Sequence, residues 1–330
     1  MNVFKYAIFF IVLIILSSIY KNLKLDENKN TSEYYYKMVD RYLLNKTNLG
    51  IGTKPFLWIH LHNDNTITPS VNARHWLSFG SRATQEFNQP YQLLTIKSII
   101  NKCGDDFNIC LIDDDSFDKI LPDWKINLNH MSNPIKTHVR LLALASVLNI
   151  YGGILVPSSF ICFDSLITLY NDNFTNNKMF VGEFLNRTAS QQLSNNVVIP
   201  TPFFMGCNAN NPQMKQFVNF LEILNSTDFT AQHDFLGRTN EWLSNAASTN
   251  EINIINGEFL GTQKADGSAI YANELLGSSY IELNNHALGL YIPWDELLNR
   301  PKLQWFPRLS PKQVLESDTV IGKHLLINSE

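Results

Sequence analysis

The chain has 330 residues, of which 45% are hydrophobic and 12% aromatic, and its 26 basic and 30 acidic side chains give a net charge of −4. This length and apolar content suffice for one large core, and α/β domains of this size commonly fold as one unit. The charge shows no basic excess that would bind a phosphate backbone, so we expect no nucleic-acid partner.

The amino terminus carries an uncharged, apolar run at residues 6–20, between Lys5 and Lys21. It is shorter than the usual span of about 20 residues, but Tyr and Lys at both ends are typical interfacial anchors. The alternative is a cleaved signal peptide, although no small-x-small cleavage site follows Ser18. We therefore predict a single-pass signal anchor at residues 1–21, attached to the membrane through residues 6–20.

A polar, Asn- and Lys-rich stem at residues 22–50 is predicted to join this anchor to one domain at residues 51–330. Lysines on both sides of the apolar run leave the membrane orientation open. Asn-x-Ser/Thr sequons, at Asn30 and Asn45 among others, would suit a lumenal domain of the endoplasmic reticulum or Golgi type.

Four cysteines show neither Cys-x-x-Cys pairs nor the histidine spacing of a zinc site, so no structural zinc is expected. Four buried thiols are one interpretation. Disulfide bonds are the other, with three possible connectivities among which the sequence does not choose.

The first half of the domain alternates strand and helix patterns. The pattern predicts a strand at 55–61, a helix at 88–103, a strand at 107–112, a helix at 134–151 and a strand at 154–163. This alternation builds a sheet with crossover helices, and ligands of such sheets bind beyond the carboxyl ends of the strands. No glycine-rich loop of the dinucleotide-binding or P-loop type occurs, which argues against those enzyme classes.

The segment from His138 and Arg140 to Tyr151-Gly152-Gly153 resembles the core of the family 32-like, capsular-polysaccharide-type glycosyltransferases. In that family a helix beginning Ser-Asp-x-x-Arg leads into Tyr-Gly-Gly-Ile-Tyr-x-Asp-x-Asp. The resemblance implies a GT-A-like, Rossmann-type mixed sheet flanked by helices. It also implies a nucleotide-sugar donor, a glycan, lipid or protein acceptor, and a divalent cation, Mn²⁺ or Mg²⁺.

Two departures from the family pattern affect the predicted site. Arg140 lies about one helical turn further from the Tyr-Gly-Gly than the family's arginine does, a shift that keeps it on the same helix face. The position of the Asp-x-Asp motif reads Val156-Pro157-Ser158-Ser159. Serine hydroxyls are poor ligands for a divalent cation, so the cation at this position is in question.

Candidate site residues follow from the residues and from this resemblance. The strand-terminal run Asp113-Asp114-Asp115 is predicted to supply catalytic carboxylates or metal ligands, with an acidic helix-capping turn as the alternative. Glu183 and Asp234 are further candidates for a general base. Asp115 of this run is the predicted metal ligand, and the resemblance implies that His286, which precedes a late tryptophan, contributes to metal or diphosphate binding. The resemblance also implies a donor site formed by His138, Arg140, Tyr151, Gly152, Gly153, Ser158 and Ser159.

The predicted function is transfer of a sugar from a nucleotide-sugar donor to a hydroxyl of the acceptor. Without its metal ligands, such an enzyme would stabilise the leaving diphosphate with Lys136, His138 or Arg140. The alternative is a catalytically inactive GT-A-like protein that is tethered to the membrane and binds or assembles other components.

Overall fold

The computed structural model describes residues 40–44, 54–61, 89–185, 198–227 and 232–328. The strands are β1 (Phe56–His60), β2 (Asn108–Ile112), β3 (Gly153–Pro157), β4 (Phe160–Cys162), β5 (Met179–Leu185), β6 (Val198–Cys207), β7 (Ile252–Ile255) and β8 (Gly289–Tyr291). The helices are α1 (Gln92–Cys103), α2 (Phe117–Ile120), α3 (Ile135–Tyr151), α4 (Ile167–Thr175), α5 (Pro212–Asn225), α6 (Gln232–Ser248), α7 (Gly257–Leu260), α8 (Ala272–Leu275), α9 (Trp294–Asn299), α10 (Pro311–Leu315) and α11 (Val320–Asn328).

Six strands form one mixed sheet in the order β2-β1-β3-β6-β5-β7. β1 pairs in parallel with β2 and β3, so the carboxyl ends of these three strands lie at one edge. β6 is antiparallel to β3 and β5, and β7 is parallel to β5. The prediction of a mixed sheet flanked by helices is confirmed.

The two crossover helices lie on opposite faces of this sheet. Successive side chains of a strand point to opposite faces. Leu57 and Ile59 accordingly pack with α1, whereas Trp58 packs with α3. The chain therefore crosses from β1 to β2 on one face of the sheet and from β2 to β3 on the other. Ligands of open α/β sheets bind beyond the carboxyl ends of the strands at such a reversal of strand order, here between β1 and β3.

The predicted strand at 154–163 is two strands in the structure. A turn at Ser158 and Ser159 ends β3, and β4 then pairs with β8 in a separate two-stranded sheet. The sequence pattern was misleading because both halves are apolar and the partner of β4 lies more than a hundred residues away in the chain. The small sheet packs with the carboxyl-terminal helices in a third hydrophobic cluster.

The predicted anchor at residues 1–21 lies outside the described residues, as does most of the predicted stem. Within the described ranges, no helix combines the length and apolarity needed to cross a membrane. Residues 40–44 of the predicted stem contact the sheet: Leu43 is buried and forms a bridge with Cys110 of β2.

Gly152 and Gly153 allow β3 to start close to its neighbours. Gly152 ends α3 with a φ of 67°, and its carbonyl accepts a hydrogen bond of 2.9 Å from the Trp58 indole. Gly153 has a φ of 101°, and a Cβ there would overlap the carbonyl oxygen of Phe56. Both positions need glycine, because the backbone is left-handed and there is no room for a side chain.

We expect Gly153→Ala to lower the free energy of unfolding by about 2–4 kcal/mol, since it adds both strain and overlap. Gly237→Ala in α6 is the matched control, because its added Cβ would lie more than 4 Å from every described atom outside its chain neighbours and its own helix backbone. The control should raise stability by about 0.5–1 kcal/mol through helix propensity. Urea unfolding measures the stability of both variants. A Gly153→Ala variant as stable as the wild type would contradict the requirement for glycine at this position.

Candidate functional site

A group of charged and polar side chains lies at the carboxyl edge of β1 and β2. His60 is the last residue of β1, and Asp114 follows the end of β2. Lys136 and Arg140 lie in the first turns of α3, one turn apart on the same helix face. We call these four residues the edge cluster.

Asp114 is the centre of the edge cluster. Arg140 donates to it twice, from Nε to Oδ1 and from Nη2 to Oδ2, each at 2.7 Å. His60 Nε2 lies 3.1 Å from Oδ1, and Lys136 Nζ lies 3.4 Å from Oδ2. Asp114 is 5% exposed and Arg140 2%, so this is a buried, bidentate ion pair.

The environment fixes the charge states of Asp114 and His60. Burial alone would raise the pKa of Asp114, but hydrogen bonds from Arg140 and His60 outweigh it and hold that pKa well below its usual range. Burial also lowers the pKa of His60, against the opposing effect of Asp114. His60 is therefore neutral near pH 7 and donates its Nε2 proton to an ionised Asp114.

The three consecutive aspartates have three different environments. Asp113 caps the following turn, accepting a hydrogen bond of 2.6 Å from the Ser116 hydroxyl. Asp115 is exposed and accepts a hydrogen bond from the Asn129 amide. Only Asp114 joins the edge cluster, so the capping alternative holds for Asp113 alone.

His138 follows Lys136 by two residues and lies in a different environment. Its ring stacks on Phe235 of α6 with centroids 3.8 Å apart and planes at 5°. It is 4% exposed, and its Nε2 has no hydrogen-bond partner in the described part of the chain. Burial lowers its pKa to about 4, so the ring is neutral.

Ser158 and Ser159, at the predicted Asp-x-Asp position, are buried. The Ser158 hydroxyl donates to Gln92 Oε1 at 3.2 Å, and its carbonyl accepts a hydrogen bond from Thr95 of α1. The Ser159 hydroxyl is enclosed without a hydrogen-bond partner among the described residues. This turn serves to dock β3 on α1.

Tyr151, Gly152 and Gly153 lie at the opposite end of β3 from the edge cluster. Gly153 begins the strand, and the strand length of five residues separates it from the carboxyl edge by roughly 13 Å. The Tyr151 hydroxyl donates to the Ile120 carbonyl at 2.6 Å. The structure does not bring these three predicted donor-site residues to the edge cluster.

The described residues do not form a site for the divalent cation that the resemblance implies. No group of three His, Cys, Asp or Glu side chains able to hold a metal occurs in the described ranges. His286 is exposed in the loop before β8, and its backbone N–H donates to Asn284. Asp115 is bonded to Asn129, and Asp114 is held by Arg140. No step of a mechanism can be assigned to a cation with these ligands.

Two solved structures are similar to this chain. One is the galactosyltransferase LgtC in complex with donor and acceptor sugar analogs, at 11% identity, covering 62% of this chain and 74% of that chain, with a TM-score of 0.32. The other is an active-site mutant of LgtC, at 13% identity with the same coverages and TM-score. No family model and no curated protein matches the sequence. The resemblance to family 32-like glycosyltransferases therefore stays a prediction.

His60 is the residue of the edge cluster that sequence reasoning missed. It ends an otherwise apolar strand, FLWIH, and is 2% exposed. A polar residue at the carboxyl end of a buried parallel strand is the signal that would have identified it.

Replacing Arg140 by methionine should lower the free energy of unfolding by about 3–5 kcal/mol, since Asp114 would keep a buried charge without its main partner. The double variant Asp114→Leu/Arg140→Met removes that charge, so it should recover part of the loss. Urea unfolding of these two variants, the single variant Asp114→Leu and the wild type tests this coupling, and strictly additive losses would contradict it. Arg238→Met, which removes an exposed ion pair with Glu241, should change stability by less than about 1 kcal/mol.

A second prediction concerns pH. The pKa of His138 is about 4 in the folded chain and about 6.5 in the unfolded chain. As the pH falls, the His138 ring of the unfolded state is therefore protonated before that of the folded state. Stability should therefore fall by roughly 3 kcal/mol through this residue as pH falls from about 6.5 to about 4. His138→Phe keeps the stack on Phe235 and removes the proton, so its stability should fall less over that range. Parallel pH profiles would rule out this linkage, and the exposed His130→Gln variant serves as the control.

Proposed function

We propose that this chain transfers a sugar from a nucleotide-sugar donor to a hydroxyl of a glycan, lipid or protein acceptor, with the donor diphosphate bound at the edge cluster. The observation that carries the proposal is the placement of Lys136 and Arg140 around one buried carboxylate at the carboxyl edge of β1 and β2. Ligands of open α/β sheets bind at this position.

The charges of the edge cluster suit an anionic ligand. Lys136 and Arg140 are cationic groups of the kind that bind phosphate oxygens, and His60 is neutral. The amino-terminal end of α3, a helix of 17 residues, adds its positive dipole end. Asp113 and Asp115 are hydrogen-bonded to Ser116 and Asn129 respectively, outside this group.

Each cation has a distinct part in this proposal. Lys136 is 13% exposed, more than Arg140 or Asp114, and is the side chain that would contact the diphosphate. Arg140 is buried and uses two of its nitrogens on Asp114, so it positions the group. As the leaving diphosphate gains charge, fixed cations that need no reorganisation stabilise it.

Glu183 is the carboxylate whose described environment best suits a general base. It lies on β5, two residues beyond Val181. Val181 and Leu155 of β3 pair with the same residue of β6, Met205. Glu183 is therefore as far toward the carboxyl edge on β5 as Pro157, the last residue of β3, is on β3. Burial raises the pKa of Glu183, against a hydrogen bond from the Gly257 N–H. Asp114 is the poorer base, because its depressed pKa leaves it a weak proton acceptor.

A second candidate function is a catalytically inactive protein that binds a nucleotide sugar. The buried state of Ser158 and Ser159, at the position where the resemblance implies metal ligands, favours this candidate. Both candidates share the donor site at the edge cluster and differ only in turnover. The membrane anchor at residues 6–20 remains part of both proposals.

The test measures binding and turnover separately with the full chain in mild detergent. Calorimetry with a panel of nucleotide sugars and free nucleoside diphosphates, with and without Mn²⁺, reports binding, and release of nucleoside diphosphate reports turnover. Lys136→Gln should weaken nucleoside diphosphate binding by about 10–100-fold, as expected for the loss of one charge-assisted contact. Lys215→Gln, at an exposed position of α5, is the matched control and should bind like the wild type.

Glu183→Gln should retain donor binding and lower turnover by about a hundredfold or more. Binding without turnover in the wild type would favour the inactive candidate. Absence of binding to every nucleotide sugar and nucleoside diphosphate would overturn both candidates.

A further inference from the structure

Two of the four cysteines meet between α1 and β4. Cys103 is the last residue of α1 and Cys162 the last of β4, and their Sγ atoms are 3.7 Å apart. Both residues are fully buried, and all four cysteines are free thiols in the structure. The two residues are 59 positions apart in the chain.

Hydrogen bonds on both sides hold the two segments at this distance. The backbone N–H of Cys162 donates at 3.0 Å to the hydroxyl of Ser98, which precedes Cys103 in α1. Beyond the two cysteines in the chain, the Ser165 hydroxyl donates to the Asp106 carboxylate. The approach of the two sulfurs is thus built into the packing of α1 on β4.

The other two thiols lie elsewhere. Cys110 of β2 and Cys207 of β6 pack on the opposite face of the main sheet from Cys103 and Cys162. In the order β2-β1-β3-β6 their strands are separated by three interstrand distances, or about 14 Å. Their thiols point to the carbonyls of Asn108 and Leu148. The geometry leaves one pair within reach of a disulfide bond.

We propose that Cys103 and Cys162 form a disulfide bond that joins the end of α1 to β4 when the chain folds in the presence of a disulfide donor. The donor is a small-molecule disulfide or the disulfide of an exchange catalyst. Bond formation requires the two sulfurs to approach to about 2.05 Å. The pair needs no rearrangement of the main sheet, because both residues already lie side by side.

The exchange proceeds in two steps that conserve atoms and electrons. The Cys103 thiolate attacks the donor disulfide, forming a mixed disulfide and releasing one donor thiolate. The Cys162 thiol then loses its proton, attacks the Cys103 sulfur and releases the second donor thiolate. The two protein thiols are oxidised by two electrons in total, the donor disulfide is reduced to two thiols, and the two protons go to the donor thiolates.

The Cys162 thiol, as a hydrogen-bond donor, lowers the pKa of Cys103, which suits Cys103 to the first attack. Because both sulfurs are fully buried once the chain has folded, a donor must reach them during folding. The bond is therefore a structural link acquired in an oxidising compartment, rather than a switch of the folded protein.

The experiment is cell-free synthesis of the full chain in mild detergent, in a glutathione redox buffer or in excess dithiothreitol. Free thiols are then blocked with iodoacetamide under denaturing conditions, and the peptides are mapped by mass spectrometry. The redox buffer should yield a peptide pair linked through Cys103 and Cys162, with Cys110 and Cys207 alkylated. Four alkylated cysteines, or a different predominant pair, would overturn the proposal.

Thermal unfolding supplies the second readout. The oxidised chain should unfold roughly 5–10 °C above the reduced chain. Cys103→Ser and Cys162→Ser should each abolish this difference, while the control variants Cys110→Ser and Cys207→Ser should keep it. If a variant fails to fold, the peptide map of the unaltered chain still decides.

Discussion

The buried ion pair between Asp114 and Arg140 organises the carboxyl edge of the sheet. A carboxylate out of water is costly unless a partner satisfies it, so once β2 delivers Asp114 to the interior, α3 must present Arg140 to it. That requirement fixes the rotation of α3 about its axis. The same rotation places Lys136 beside Asp114 and turns His138 onto Phe235.

The division of roles among the three aspartates follows from this constraint. An extended Asp113 caps the turn, Asp114 points inward to the guanidinium, and Asp115 is left at the surface. A run of three carboxylates that looks like a cation site in the sequence is thus distributed over capping, ion pairing and solvation. The cations at this edge come from α3, and the single inward carboxylate holds them in place.

Several elements were predictable because their signals are local. The helix α3 was predicted at 134–151 and lies at Ile135–Tyr151, since an apolar periodic segment closed by two glycines defines it without tertiary information. β1 and β2 were predicted for similar reasons. The partner of Asp114 could not be predicted, because an ion pair between residues 26 positions apart depends on how α3 docks.

The two strands of segment 153–162 also show that local sequence signals do not predict long-range pairing. Both halves favour strand, but only pairing with β8 assigns the second half to another sheet. Likewise, the sequence does not choose among the possible cysteine pairs, whereas the packing of α1 on β4 brings one pair, Cys103 and Cys162, together. Burial of Ser158 and Ser159 was also invisible in a sequence that shows only two small polar residues.

The pairing of β4 with β8 also has a consequence for biosynthesis. β4 ends at residue 162, and its partner begins at residue 289. At typical elongation rates of about 5–20 residues per second, roughly 6–25 s separate the emergence of the two strands from the ribosome. During that interval the apolar residues of β4 have no strand partner, so this stretch of the nascent chain is where a chaperone would have most to protect.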